Sequence, residues 1–242
     1  MRDRGTISFH SLDGDPINET QLAQCLETFG VVSFSGATRK SLAMCLASWA
    51  VPFRHPHSTP AGVTVLSPRA ASGLGEAGFG RGEVGPHTDR AHTDHPPALV
   101  AILIERAADR GGECWLVDAA SDVSLVGEAL GSPGGVVLRS PDGLCHPVIE
   151  QRSGRVRVRY RDDAVARPAA DGPVGRELLT RIHTLIRARR VLRLGAGSGY
   201  LLHNHRVLHG RAAFVGSRRA VRFLATLPAT HPQERLNDGF AP

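Results

Sequence analysis

The sequence predicts a mainly β fold with flanking helices, arranged as a double-stranded β-helix, the cupin-like jelly roll. Three observations predict it. Many short strand-like runs follow one another along the 242 residues, 27 glycines and 16 prolines punctuate them throughout, and few segments have helical periodicity. Such a fold also brings sequence-distant strands side by side. Because no repeat or linker divides the chain, we expect a single domain over residues 1–242.

Three segments are predicted to be helices from the spacing of their apolar residues. Residues 19–29 have an amphipathic pattern that ends at Gly30. A second helix is predicted over 41–49. The third, over 174–190, has Pro173 at its start and several arginines at its end, where positive charge favours the helix dipole.

Strands are predicted for the apolar and β-branched runs between these helices. The run 98–105 is apolar on both faces, so we expect it to be buried on both. In 155–161 arginines alternate with apolar residues and a tyrosine, which predicts one solvated face. Residues 56–85 should form loops and short strands. The predicted strands are 31–34, 98–105, 114–117, 136–139, 146–150, 155–161, 191–194, 200–202, 207–209 and 221–227.

The composition argues against several classes of protein. No apolar run approaches the length of about eighteen residues that predicts a membrane span, and no signal-peptide core follows Met1, so we expect a cytoplasmic protein without a membrane partner. The formal charge of +6 comes from arginines spread along the whole chain, with Lys40 the one lysine, so we expect no nucleic-acid partner. Four well-separated cysteines predict reduced, buried thiols.

The most informative pattern is a split set of metal-ligating residue types, with His87 and Asp89 in the first half and His209 in the second. Residues i and i+2 of a strand project from one face, so His87 and Asp89 can hold one ion while Thr88 points away. Two histidines and a carboxylate on one face of iron leave positions open for a cosubstrate and dioxygen. A second pattern of this type, His92-Thr93-Asp94, competes for the metal.

Further motifs follow in a fixed order. They are His87-Thr88-Asp89, Pro96-Pro97, an apolar run over 99–104, Gly111-Gly112, Asp118, His209-Gly210-Arg211, and Arg218 with Arg222. In these motifs the chain resembles the taurine dioxygenase and clavaminate synthase-like superfamily of Fe(II)/2-oxoglutarate oxygenases. Only His87 has that family's interval to Pro96-Pro97, which favours the first His-x-Asp over the second.

The resemblance implies a role for each matching residue. His87, Asp89 and His209 would be the iron ligands and catalytic residues, and Arg218 would bind the distal carboxylate of 2-oxoglutarate, with dioxygen as the third reactant. The planar, permanently charged guanidinium suits a carboxylate. Arg222 stands where some relatives hold the acidic group of the primary substrate.

Other positions follow the family less closely. Many relatives place Thr or Ser, whose hydroxyl contacts 2-oxoglutarate, where this chain has Cys114, a weaker donor. His203 and His205 replace the family's usual Asp and Arg, and the sequence leaves open whether they are structural or line the pocket. His92 and His95 would lie on a loop over the site and are candidate substrate contacts. Tyr200 and Trp115 are predicted to be core aromatics, and Asn204 and Arg211 to brace the second motif.

The leading hypothesis is an Fe(II)/2-oxoglutarate-dependent dioxygenase that hydroxylates an unactivated C–H bond and releases succinate and carbon dioxide. Its substrate would be a small carboxylate-bearing molecule, an amino acid or natural-product intermediate, free or carrier-bound. Related halogenases lack the ligand carboxylate, so Asp89 argues against halogenation, whereas desaturation, epoxidation and cyclisation stay open. The alternatives of another class are a jelly-roll zinc hydrolase, which has no need of Arg218, and a non-catalytic binding protein. The oligomeric state is not indicated.

Overall fold

The computed structural model describes residues 6–8, 19–69, 75–132 and 135–242. Four α-helices lie in these ranges: α1 (Glu19–Phe29), α2 (Arg39–Ala47), α3 (Val123–Gly131) and α4 (Gly172–Arg187). Helix α1 has the predicted bounds, and α2 and α4 each begin and end two or three residues before the predicted positions. None of the helices in this part of the chain is long and apolar enough to span a membrane.

The helix termini follow from capping side chains. Thr38 and Ser41 form a reciprocal capping box at the start of α2. Helix α3 was not predicted, although its N-cap is an ordinary one, since the Asp122 carboxylate accepts from the Leu125 amide. Its nine residues offer too few helical turns for a clear periodic pattern.

The described residues also contain eighteen short strands, which makes the chain mainly β with flanking helices, as predicted. In chain order they are β1 (Thr6–Ser8), β2 (Val31–Ser35), β3 (Val51–Pro52), β4 (Val63–Leu66), β5 (Val84–His87), β6 (Leu99–Arg106), β7 (Arg110–Gly111), β8 (Cys114–Asp118), β9 (Val136–Arg139), β10 (Cys145–Pro147), β11 (Ile149–Arg152), β12 (Arg155–Val158), β13 (Arg167–Ala170), β14 (Arg190–Leu192), β15 (Gly199–His203), β16 (Val207–Arg211), β17 (Phe214–Val215) and β18 (Arg219–Thr226). The single strand expected over 146–150 is divided at Val148 into β10 and β11.

Two sheets form the framework. The larger has the order β1-β2-β15-β6-β18-β3, with β4 also paired to β18. The smaller has the order β14-β8-β16-β5, and all its pairs are antiparallel. Three smaller groups, β10-β9-β13, β11-β12 and β17-β7, complete the strand pairing.

The core has three layers, and the alternation of side chains along β6 explains two of them. Residues from one face of β6, including Val100 and Ile102, pack with Leu116 of β8 between the two sheets. Its other face, with Leu99 and Leu103, packs against α1 and α2. The far side of the smaller sheet is covered by α3, α4 and the small strand groups. The prediction that this strand is buried on both faces is therefore confirmed.

The prediction of a solvated face for 155–161 is wrong. Arg157 and Arg159 are only 3% and 2% exposed. Arg159 donates to the carbonyls of Ala91, Thr93 and Asp94 and pairs with Glu150. A buried guanidinium is tolerated when several acceptors surround it, and here loops from distant parts of the chain provide them.

The four cysteines are free thiols, as predicted, but they are not all buried. Cys114 is buried and Cys145 is exposed, while the other two are intermediate. Burial raises the pKa of the Cys114 thiol, which keeps it protonated and unreactive.

His203 and His205 are structural residues and line neither of the cavities beside Asp89 described below. Both are buried, and the Nε2 of His203 lies 2.9 Å from the Leu236 carbonyl oxygen. Burial lowers the pKa of His203 to about 3, and burial together with Arg157 lowers that of His205 well below its usual value. Both imidazoles are therefore neutral in the folded protein at neutral pH.

These histidines predict a loss of stability in mild acid. The pKa of His203 is lower in the folded than in the unfolded protein. Its contribution to the free energy of unfolding is therefore complete above pH 6.5 and is lost as the pH falls toward about 3. Each such histidine lowers the free energy of unfolding by about 1.4 kcal/mol per pH unit below about pH 6. His203→Gln keeps an N–H donor but does not titrate. We therefore expect its free energy of unfolding, measured in urea, to fall less between about pH 6 and about pH 5 than that of the wild type. The exposed His95→Gln is the control, and equal slopes for His203→Gln and wild type would contradict the prediction.

Candidate metal centre and active-site cavity

The smaller sheet brings the two distant histidines together. His209 of β16 is the direct antiparallel partner of His87, the last residue of β5, and their ring centroids are 4.6 Å apart. The register shifts at the following residue, where a Cβ on Gly210 would lie 2.6 Å from the Val84 carbonyl oxygen. The glycine of the His-Gly-Arg motif is therefore needed for the close approach of β5.

Asp89 also lies beside the two histidines but, contrary to the sequence prediction, it is not on the same strand as His87. Strand β5 ends at His87, so Asp89 lies in the segment after the strand. The buried side chain of Asn204 fixes it there, because its Oδ1 accepts from the Asp89 amide at 2.8 Å and its Nδ2 donates to the Asp89 and Pro97 carbonyls. Asn204 thus braces the first motif as well as the second.

The three side chains form a compact donor set. Candidate ligand atoms of His87, Asp89 and His209 lie within 4.8 Å of one another, in the only such cluster of metal-ligating side chains among the described residues. Asp89 Oδ2 and His209 Nδ1 are buried without hydrogen bonds. The Gly85 carbonyl accepts from His87 Nδ1 at 2.9 Å, which leaves the Nε2 lone pair free for a metal. Two nitrogen donors and one carboxylate fit divalent iron.

The protonation states also suit metal binding. Burial of its ring and the nearby His209 lower the pKa of His87 to about 3, although part of its surface faces a groove beside α4. Burial alone would raise the pKa of Asp89, but Arg222, His209 and His87 bring it well below its usual range. A neutral imidazole and an ionised carboxylate are the forms that bind metals.

A small inner cavity of about 80 Å³ lies beside this donor set. Cys114, Tyr200, Arg211 and Arg218 line it together with the three metal-ligand candidates. Arg218 is buried, and no carboxylate of the described residues lies within ion-pair distance of it. Its Nη2 is 3.9 Å from Cys114 Sγ. The inner cavity therefore holds an uncompensated guanidinium, which is what binding of an anionic cosubstrate requires.

The backbone around Arg218 depends on the Gly111-Gly112 pair. Both glycines have positive φ, of 73° and 78°. A Cβ on Gly111 would lie 2.2 Å from the Ala213 carbonyl oxygen, and one on Gly112 would lie 3.3 Å from the Arg218 side chain. The two glycines therefore allow a left-handed turn here and leave room for residue 213 and for the Arg218 side chain.

Strand alternation separates the neighbouring arginines as predicted. Arg219 points out of the cavity, where its exposed guanidinium pairs with Glu105 at 2.9 Å. Arg222 points inward again, and its Nη1 lies 2.6 Å from Asp89 Oδ1. Arg222 therefore touches the metal-ligand candidate itself, a contact that the sequence did not reveal.

A larger outer cavity of about 260 Å³ opens on the other side of Asp89. Its wall contains His92, one of the two predicted loop histidines, but not His95, which is exposed. Asp94 is also exposed, with its carboxylate 3.7 Å from His146. The second His-x-Asp pattern is thus not assembled into a donor set.

The sequence match decides the family. The sequence model of the taurine catabolism dioxygenase TauD, TfdA family matches residues 2–123, half of the chain, including His87 and Asp89. The chain belongs to this family. It is an Fe(II)/2-oxoglutarate-dependent oxygenase, with iron as its cofactor and 2-oxoglutarate and dioxygen as its cosubstrates. None of the curated proteins compared with it matches the chain.

Solved structures similar to this TauD-family chain have the same fold at low identity. PvcB from Pseudomonas aeruginosa has 16% identity and a TM-score of 0.66, covering 87% of this chain and 80% of its own. Asparagine oxygenase in complex with Fe(II), 2S,3S-3-hydroxyasparagine and succinate has 16% identity, a TM-score of 0.60, and coverage of 85% and 79%. The non-haem iron oxygenase OrfP in complex with Fe and α-ketoglutaric acid has 14% identity and a TM-score of 0.66, covering 86% of this chain and 80% of its own.

Several residues that line the cavities of this TauD-family oxygenase are not indicated by the sequence. Tyr200 is buried as predicted, but it also lines the inner cavity, with its ring edge-on to His209 at 6.3 Å. His55, Arg90 and Arg161 line the outer cavity and belong to no motif. The one available signal was that Arg90 directly follows Asp89.

The Asn204 contacts give a prediction. Asn204→Ala leaves three buried backbone groups without partners, so we expect a loss of stability of about 2–4 kcal/mol. Because Asp89 is no longer fixed, Fe(II) affinity should also fall by about tenfold or more. Asn237→Ala is a matched control, since Asn237 holds the amide and carbonyl of Leu227 in the same way, away from both cavities. Equal losses of Fe(II) affinity in titrations of the two variants would contradict the prediction.

Proposed function

We propose that this protein hydroxylates an unactivated C–H bond of a small carboxylate-bearing molecule, an amino acid or an amino-acid-like natural-product intermediate. The observation that carries the proposal is the buried donor set of His87, Asp89 and His209 next to the unpaired guanidinium of Arg218. We further propose that residues 1–242 are one oxygenase domain and that its two sheets form a double-stranded β-helix.

Each residue has a proposed role. His87, Asp89 and His209 hold the iron, and Arg218 binds the distal carboxylate of 2-oxoglutarate, with Cys114 packed beside it. Bound iron and 2-oxoglutarate supply the oxidising chemistry, in which decarboxylation to succinate and carbon dioxide accompanies oxidation of the substrate by dioxygen. The protein positions one C–H bond and shields the inner cavity from water with apolar residues such as Phe79 and Ile102.

Amino-acid substrates have support from the solved structures of similar fold. One contains 3-hydroxyasparagine and another (3S)-hydroxy-L-Arg, both hydroxylated amino acids. The larger outer cavity next to the donor set has room for a molecule of that size, and Arg222 in its wall is suited to an acidic group. Asp89 occupies the position that halogenases leave open, and Arg218 has no use in a zinc hydrolase.

The ligand set can be tested by spectroscopy. Anaerobic addition of Fe(II) and 2-oxoglutarate to the wild type should give the weak visible charge-transfer band of the metal chelate. His87→Ala with Asp89→Ala should abolish the band because two of the three ligands are gone. His92→Ala with Asp94→Ala removes the same residue types from the other His-x-Asp pattern and should keep it. The proposal fails if wild type gives no band or if both double variants respond alike.

The cosubstrate site can be tested with two adjacent arginines. Arg218→Ala removes the buried guanidinium, so 2-oxoglutarate binding should weaken by about tenfold to a hundredfold, the effect of losing a charge-assisted pair. Arg219→Ala removes the same charge from the exposed side of β18 and should change the dissociation constant by less than about twofold. Titration of the anaerobic Fe(II) protein with 2-oxoglutarate measures both constants. Similar constants for the two variants would exclude Arg218 as the clamp.

A further inference from the structure

The outer cavity contains one more guanidinium group than the protein pairs with carboxylates. Three guanidinium groups face it, those of Arg90, Arg161 and Arg222. Arg161 is held by Asp163 at 2.7 Å, and Arg222 by Asp89 at 2.6 Å. These two cations therefore have partners within the protein.

Arg90 has no such partner. No carboxylate of the described residues lies within ion-pair distance of its guanidinium, and its Nε is buried without a hydrogen bond. A guanidinium stays charged at neutral pH, so the charge of Arg90 is left for a ligand.

The backbone holds Arg90 in place. Its φ of 58° is a left-handed conformation that arginine rarely adopts. The turn is fixed because the amide and hydroxyl of Thr93 both donate to the Arg90 carbonyl. Beneath it, the buried Arg159 donates to the carbonyls of Ala91, Thr93 and Asp94. A strained residue held by a braced loop at a cavity wall is typical of a functional position.

The acid on the facing wall does not neutralise Arg90. Asp142, from the turn between β9 and β10, accepts from the Ser140 hydroxyl and the Leu144 amide. It is exposed, so solvent screens its charge. Asp142 therefore leaves the charge of Arg90 without a partner in the outer cavity.

We infer that Arg90 is a second anion-binding residue of the outer cavity, so that the primary substrate has an acidic group facing Arg90 besides the one proposed at Arg222, whose Nε is also buried without a hydrogen bond. Two carboxylates, or a carboxylate and a phosphoryl group, meet this requirement. The inference rests on the proposed function, since it assigns a substrate class to the same site. This class differs from the neutral 3-hydroxyasparagine and the cationic (3S)-hydroxy-L-Arg found in the solved structures of similar fold.

The test uses the anaerobic protein loaded with Fe(II) and 2-oxoglutarate. Matched pairs of probes are titrated against the chelate band: L-glutamate and L-glutamine, L-aspartate and L-asparagine, O-phospho-L-serine and L-serine. In at least one pair the acidic member should bind about tenfold or more tightly than its neutral partner. The preferred pair also distinguishes a dicarboxylate from a phosphoryl substrate.

Two variants of Arg90 and one control variant test whether Arg90 causes the preference for the acidic probe. Arg90→Gln should form the chelate band as wild type does but should lose the preference for the acidic member. Arg90→Lys keeps the positive charge and should retain part of the preference for the acidic member. Arg193→Gln removes one positive charge from an 87% exposed side chain and should behave as wild type.

The possible failures are distinguishable. Absence of the chelate band in wild type would overturn the proposed function and this inference with it. With the band present, the inference alone is overturned if no acidic probe binds better than its neutral partner. It is likewise overturned if Arg90→Gln keeps the full preference.

Discussion

The structure depends on the antiparallel register of β16, which lies between β5 and β8. That register places His209 opposite His87 on one side and opposite Leu116 on the other. A slip of one residue would turn His209 toward the opposite face of the sheet and leave the donor set incomplete. Asn204 and Arg206, in the turn before β16, secure the register by bonding to Asp89 and to Asp118 at the end of β8.

The carboxylate of Asp89 links the metal-ligand candidates to side chains of both cavities through short polar contacts. Its two oxygens face His209 and Arg222, and Arg222 in turn lies 3.4 Å from His55 Nε2. Burial and the charges of Arg222 and Arg90 lower the pKa of His55 to about 4, so its neutral ring can accept from Arg222. One carboxylate therefore orients a chain of side chains that extends from the inner to the outer cavity.

Local patterns predicted much of the fold and of the candidate site. The apolar run of β6 and the helical spacing of α1 are properties of single segments, and the motif order gave the donor set and Arg218. The sequence could not show contacts that two distant segments make together. The carbonyls that allow Arg159 to be buried belong to residues 91–94, and the contact of Arg222 with Asp89 depends on the pairing of β18 with β6. The left-handed backbone of Arg90 has no signal in composition or periodicity.

The positive charge of this basic chain does not all lie on its surface. Part of its positive charge lies inside the protein, on Arg157, Arg159, Arg161, Arg211 and Arg218. Arginine suits this use because its five donors can satisfy several carbonyls and carboxylates at once, whereas a lysine offers one compact charge that is costly to dehydrate. Arg159 and Arg161 bond to loop carbonyls and to Asp163, and these contacts shape the walls of the cavities. Arg218 lines the inner cavity beside the metal-ligand candidates, and among the described residues neither a carboxylate nor a carbonyl is its partner. Part of the positive charge of this protein is therefore used in its interior and at the walls of its two cavities.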